Sequence, residues 1–471
     1  MCAPSRLLVM DEKAGAPQKE DAMSKEIRLN LLEQGNPSFQ AFGLWAHPRD
    51  KAVNFNKIDY WTDYAKLAER GLFDNFFLAD VYGLPDVYKG NADAALRSAS
   101  QAPSLDPSIL VAAMAGATSN LCFTVSGNAS YEAPYSFARR MSTLDHMTGG
   151  RLGWNIVTGY LRSGALAMGR DELIAHDLRY EMADEFCEGV YRLWEESWAE
   201  GALRKDKEAR VYADPALIKP IEFHGKYHKF TSIGPVEPSP QRTPLLFQAG
   251  GSERGRRFAG THAEGVYVNG TKPDLVAAQV ARIRKATADA GRDPGAVKLF
   301  AGISVFVDET EALARARYND YLKYSSFEGL ISTMSGIMGI DLSQYPLDKP
   351  ITYGENDANR SALEMFTRNN AWTLRQVIDE KALCGTNVAL IGSPAQIADE
   401  MATWMEVADL DGFNVARIVA HETLENFIDL VVPELQRRGL YKTAYRPGTF
   451  REKMFGHRRI SPDHTAGKFS R

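Results

Sequence analysis

Short β-branched or aromatic runs alternate with stretches of helical periodicity along the whole chain, and this alternation constrains the fold more than any other feature. Such a pattern belongs to a parallel sheet whose crossovers are helices. Eight candidate strands can be read: Ile27–Leu32, Asn75–Ala79, Leu121–Ser126, Leu152–Thr158, Pro244–Gln248, Gly265–Asn269, Val297–Val307 and Gly412–Ala420. Eight parallel strands predict an α/β fold closed as a (β/α)8 TIM barrel.

The crossovers carry their own signals. Trp61, Tyr64, Ala65 and Ala68 fall at i, i+3, i+4 and i+7, and Gly71 is placed to end that helix in the left-handed conformation. Phe137, Met141 and Leu144 form a second stripe that stops at Gly149-Gly150, directly before the Leu152–Thr158 strand. The longest helix starts near Leu178, with Met182, Phe186, Val190 and Trp194 facing inward and Glu181, Glu185 and Glu188 facing out. Two stretches break the repeat, 201–242 and 324–380, and both are expected to be insertions over the active-site end. Residues 1–24 are expected to be a disordered extension and 25–446 a single barrel. Residues 447–471 would be a C-terminal arm that wraps a surface or a partner subunit, with a loose tail as the competing reading.

Composition narrows the function. With 55 Lys+Arg against 60 Asp+Glu and no block of like charge, the chain lacks the electrostatic footprint of a nucleic-acid or membrane-surface binder. Small-molecule chemistry is the better expectation. The stretches are too short in apolar residues for a membrane span, and the N-terminus lacks a secretory h-region. Cys2, Cys122, Cys187 and Cys384 lie far apart without CxxC spacing, which suits reduced thiols and a cytoplasmic protein.

In a TIM barrel function gathers at the C-terminal ends of the strands, and here those ends are polar. Asp80 ends the second strand; Ser126 and Asn128 close the third; Asn155, Thr158, Gly159 and Tyr160 close the fourth; Gln248, Gly250, Gly251 and Ser252 follow the fifth. A turn or cap accounts for any one of them alone, but less readily for four in succession. Two glycines and an expected Ser252 N-cap leave backbone N–H groups free to face a phosphate. His176 and Tyr180 share a helix face and could bond a phosphate or a flavin edge, with a core tyrosine beside a surface histidine as the competing reading. His224 and His228 have HxxxH spacing, yet Gly225 and the flanking residues favour a hairpin, and no metal site is expected. Hydrolase-triad, NTPase and Rossmann motifs are missing.

Several ordered segments resemble the bacterial luciferase-like flavin monooxygenases. They are Gly43-Leu-Trp45-Ala-His47-Pro48, Phe77-Leu-Ala-Asp80-Val81, Tyr131-Glu-Ala-Pro-Tyr135, Ala138 through His146, Trp154-Asn155-Ile-Val-Thr158, His176-Asp177-Leu-Arg179-Tyr180, Pro238 through Pro244 and Gln248 through Gly255. The chain resembles in particular the subfamily of nitrilotriacetate, dibenzothiophene sulfone, dimethylsulfide and long-chain alkane monooxygenases. The resemblance runs from about Lys25 to Gly456 and implies a luciferase-like barrel.

It further implies an FMN site lined by Asp80, Ser126, Asn128, Gly159, Tyr160, His176, Tyr180, Gly250, Gly251 and Ser252, with Tyr180 and Ser252 near the phosphate. Gly159 and Tyr160 stand where members commonly carry Ser and a residue such as His. Asn36 and Phe39 stand where the alkane and dimethylsulfide enzymes carry Cys and His, so substrate does not transfer. With Trp45 they are the candidate substrate pocket, and no catalytic acid or base is assigned. The implied reaction takes reduced FMN from a separate NAD(P)H:flavin reductase and uses O2 to oxygenate a small organic substrate, with a lid at 324–380. A homodimer or homotetramer is implied. The alternatives are a deazaflavin-dependent oxidoreductase of the same superfamily and a flavin-binding protein without chemistry.

Overall fold

The computed structural model describes residues 25–351, 357 and 372–471, so the expected extension at 1–24 lies outside the described residues. Eight parallel strands close into a barrel: β1 (Arg28–Gln34), β2 (Asn75–Ala79), β3 (Cys122–Asn128), β4 (Leu152–Val157), β5 (Leu245–Gln248), β6 (Gly265–Val268), β7 (Lys298–Val307) and β8 (Gly412–Ala416). Each pairs with its sequence neighbour, β7 with β8, and β8 returns to β1 through Arg28↔Gly412 and Leu32↔Ala416. The eight strands expected from sequence are these eight.

One further strand had no sequence signal. Val388–Gly392 pairs in parallel with the far half of β7, Ile303↔Val388, and stands beside the barrel rather than in its wall. The strand expected at 412–420 stops at Ala416, where Arg417 turns its guanidinium to Glu33 at 3.1 Å and to the Asn36 carbonyl at 3.0 Å.

Outward-facing strand residues such as Leu29, Leu31, Phe76 and Ile303 are buried under the helices. In the first helix, Ile58–Arg70, the stripe Trp61, Tyr64, Ala65 and Ala68 is buried. Gly71 is not left-handed (φ −78°); Leu72 takes that conformation at φ 58°. Gly71 is needed for space, since a Cβ there would come within 2.5 Å of Ile428 Cγ1. Gly149 and Gly150 do adopt positive φ and end the helix Pro134–Met147. The helix expected from near Leu178 spans His176–Tyr191 and runs on through a wider turn at Arg192–Glu196, and Met182, Phe186, Val190 and Trp194 are all buried.

Inward-facing residues are of two kinds. Leu32, Phe77, Leu245, Phe247, Tyr267 and Phe300 form an apolar filling, with Tyr267 stacked on Phe77 at 4.4 Å and on Phe247 at 5.3 Å. Asn30 donates to Asn414 at 2.8 Å and Thr124 donates to Asn75 at 3.0 Å within the same lumen. Phe450 and Met454, from the helix Phe450–Phe455, join the apolar filling, so part of segment 447–471 lies against its own barrel.

Residues 201–242 hold two antiparallel hairpins, Leu203–Asp206 with Val211–Ala213 and Ile221–His224 with Lys229–Ser232. His224 and His228 therefore sit on a hairpin, where His228 meets Glu185 at 3.2 Å. The described part of 324–380 contains the helices Phe327–Met338 and Leu374–Lys381. Cys122, Cys187 and Cys384 are buried free thiols.

Candidate functional site

The polar strand ends meet around a cavity of about 180 Å³ at the C-terminal face of the barrel. Nine of the ten residues read as cofactor-binding line it: Asp80, Asn128, Gly159, Tyr160, His176, Tyr180, Gly250, Gly251 and Ser252. Ser126 lies one inward position below Asn128 on β3, where it accepts from Asn155 Nδ2 at 2.9 Å inside the barrel. Asn36, Phe39 and Trp45 are not in the cavity wall. Phe39 is buried in the apolar filling at the top of the lumen, and the Trp45 indole donates to the Ser98 carbonyl at 3.1 Å.

One end of the cavity is built by two helix starts. Ser252 caps the helix Glu253–His262, its hydroxyl accepting from Gly255 N–H at 3.1 Å as the Ser-Glu-Arg-Gly order predicts. The helix His176–Tyr191 begins against it, with His176 Nε2 and Ser252 Oγ 3.4 Å apart. Tyr180, one turn on, reaches the Ser252 and Gln248 side chains with its hydroxyl, and burial raises that hydroxyl's pKa. The Arg254 guanidinium lies 5.2 Å from the Tyr180 ring centre and pairs with Asp184. Arg179 also lines this end. It donates to the Ile174 carbonyl and, at 2.6 Å, to the Asp357 carbonyl. Asp357 Oδ1 in turn accepts from His176 N–H at 2.9 Å, so a residue of the 324–380 stretch touches the site.

The other end is formed by the tips of β2, β3 and β4. Gly159 has φ +75°, a left-handed turn that favours glycine, and a Cβ there would lie 3.1 Å from Asn128 Nδ2. Asn128 Oδ1 accepts from Ser130 N–H at 2.9 Å, and Glu132 accepts from Asn128 N–H and from Tyr82 OH, both at 3.3 Å. Asp80 is a carboxyl in the wall of the cavity, and among the described residues no cation acts on it. Burial, opposed by the Val81 N–H and assisted by Asp106 and Glu132, pushes its pKa up to about 7.

A closed barrel with a cradle at its C-terminal face admits many chemistries, and comparison with known proteins decides among them. The model of the luciferase-like monooxygenase family matches residues 38–409. The chain belongs to that family. This luciferase-like monooxygenase is 42% identical to dimethyl-sulfide monooxygenase of Hyphomicrobium sulfonivorans over 452 residues, 95% of this chain and 94% of the relative. It is also 42% identical to long-chain alkane monooxygenase of Geobacillus thermodenitrificans over 452 residues, 95% of this chain and 98% of that one. Among solved structures, a riboflavin lyase crystallised with modified FMN and riboflavin superposes with a TM-score of 0.90 at 34% identity, covering 95% of this chain and 100% of that one. The enzyme is an oxidoreductase of the flavin-dependent monooxygenase class.

Arg179 is the lining residue that the sequence reading of this luciferase-like monooxygenase passed over. It stands three residues after His176, one before Tyr180, and both the i+3 and i+4 positions share the His176 face, which was the available signal. Val81, Ile156, Val157 and Ala249 line the cavity as well, and nothing in their residue type marks them.

Proposed function

We propose that this enzyme is the oxygenase component of a two-component system. Reduced FMN would come from a separate NAD(P)H:flavin reductase, and O2 would oxygenate a small organic substrate. We assign it to the cytoplasm as a homodimer or homotetramer; among the described residues no helix is long and apolar enough to cross a membrane.

The observation that carries this reading is the convergence of Ser252, His176, Arg179 and Tyr180 at two helix starts, which supplies hydroxyl, imidazole, cationic and backbone donors to one anion. The residues present fit an FMN phosphate there. Gly250 leaves room for it, since a Cβ would lie 2.6 Å from the Tyr180 hydroxyl. Asp80, Asn128, Gly159 and Tyr160 would border the ring system at the opposite end. A bound reduced flavin would supply the electrons that activate O2. The protein's part is to hold and orient it and to exclude water; the lid expected at 324–380 lies in part outside the described residues, and its Asp357 bonds Arg179 and His176.

Tyr180→Phe combined with Ser252→Ala is expected to weaken reduced-FMN binding in anaerobic titration by roughly 10- to 100-fold, the worth of one or two hydrogen bonds to a charged group. Unchanged affinity removes both residues from the site. Asp80 adds a pH dependence. Below its pKa of about 7 the carboxyl is neutral and can donate a hydrogen bond; above it, an anion faces an anionic cofactor. Affinity is therefore expected to fall roughly threefold to tenfold between about pH 6 and pH 8, and Asp80→Asn should flatten that fall. A slope identical in wild type and variant assigns the titration to the cofactor itself. Turnover that proceeds without O2 would favour a deazaflavin-dependent oxidoreductase.

A further inference from the structure

We propose that Gln34, Asn36 and Ser304 form the polar end of the substrate pocket. They would select a neutral hydrogen-bonding group, a carboxamide or a hydroxyl, on an otherwise apolar substrate. The inference rests on the flavin-monooxygenase reading and deepens it.

Asn36 is fully buried in the loop that leaves β1. Its backbone is satisfied: the N–H donates to the Gln34 carbonyl at 2.7 Å and the carbonyl accepts from Arg417 at 3.0 Å. Its side chain is not, since neither Oδ1 nor Nδ2 meets a partner among the described residues. Gln34 Oε1 and Ser304 Oγ are also buried and unpaired. The three lie at one end of the barrel. Gln34 faces the lumen two residues beyond Leu32 and registers with Ala79, the residue before the cavity-lining Asp80. Ser304 follows Ile303, whose register partner is Val415, so it stands level with Ala416 on the adjacent strand β8 and with Leu32 on β1 beyond it.

Leaving one such buried group unmatched costs about 1–3 kcal/mol, so three side chains with unpaired atoms at one end point to a ligand that completes them. The accompanying surface is apolar: Leu32, Phe39, Phe77 and Ala416 pack there with the partly exposed Ala79. Asn36 offers a donor and an acceptor together, which a carboxamide or hydroxyl answers and a thioether or alkane does not. The neighbouring cation, Arg417, is already engaged by the buried Glu33 carboxyl at 3.1 Å and the Asn36 carbonyl at 3.0 Å, with Asp50 also in its field, so a carboxylate would enter among acidic neighbours.

The test is calorimetric titration of the full chain, with and without reduced FMN under anaerobic conditions, using hexanamide, 1-hexanol and methyl pentyl sulfide at millimolar concentration. The wild type should bind the amide and the alcohol at least about 10-fold more tightly than the thioether. Asn36→Leu should erase that preference while leaving the reduced-FMN titration unchanged. Ser304→Ala, a smaller change, should reduce it in the same direction and serves if Asn36→Leu does not fold. A thioether bound as tightly as the amide, hexanamide affinity unmoved by both substitutions, or no binding of any probe would overturn the proposal. Failure of the wild type to bind reduced FMN would instead strike the flavin reading, and the probe preference would still be measured in the flavin-free protein.

Discussion

Arg451→Ala is expected to lower the unfolding free energy by about 3–5 kcal/mol, because it strands a buried carboxylate. Arg451 is fully buried in the C-terminal helix Phe450–Phe455, and its Nε lies 2.7 Å from Glu264, which ends the turn before β6. The same guanidinium donates to the carbonyls of Thr243 and Pro244, each at 3.0 Å, just before β5. One side chain thus ties segment 447–471 to two strand entrances, and Phe450 and Met454 beside it fill the lumen. Burial opposes ionisation of Glu264, yet Arg451 holds its carboxyl below the ordinary glutamate value. The sign follows. In the wild type the Glu264 contribution is present at neutral pH and is lost as pH falls below the usual glutamate range. In the variant that acid dependence should shrink. Urea denaturation at neutral pH checks the magnitude, and a loss below about 1 kcal/mol would mean that water reaches Glu264 and the pair is not closed. Replacing both partners together with apolar residues should cost much less than Arg451→Ala.

Gly250→Val is expected to reduce affinity for reduced FMN by roughly 10- to 100-fold, with a smaller effect on stability than Arg451→Ala. The first Cβ alone would lie 2.2 Å from Gln248 Nε2, 2.6 Å from the Tyr180 hydroxyl and 3.1 Å from Gly255 Cα. The glutamine amide can swing away. Tyr180 and Gly255 cannot, since Tyr180 is buried against Phe258 and Gly255 sits in the first turn behind the Ser252 cap. Valine must therefore displace the tyrosine hydroxyl from Ser252 or fill the end of the cavity proposed to take the phosphate. Tight flavin binding by Gly250→Val would move the cofactor away from the two helix starts.

The barrel was legible because a parallel strand buried on both faces reads as a short apolar run, and helices between such runs announce themselves by periodicity. Ser252 was legible as a cap and Gly149-Gly150 as a stop because both act within a few residues of chain. Gly71 marked the end of its helix for the wrong reason. Its backbone is ordinary, and what requires glycine is the Ile428 side chain, more than 350 positions away in sequence. The strand Val388–Gly392 escaped because the barrel already had its eight, and only the extra length of β7 gives it a partner.

Local chemistry along the chain determined the eight strands, the polar character of their C-terminal ends, and the residues able to cap a helix or face an anion. Tertiary structure alone decided that Ser126 stays below the cavity while Arg179 and Asp357 reach it, and that Arg451 finds Glu264 across 187 positions. It also decided that the Asn36 side chain is buried without a partner among the described residues. Propensity and capping are settled by neighbours in sequence. Burial, ion pairing and the unmatched valence of a polar atom depend on which distant segments closure of the barrel brings together.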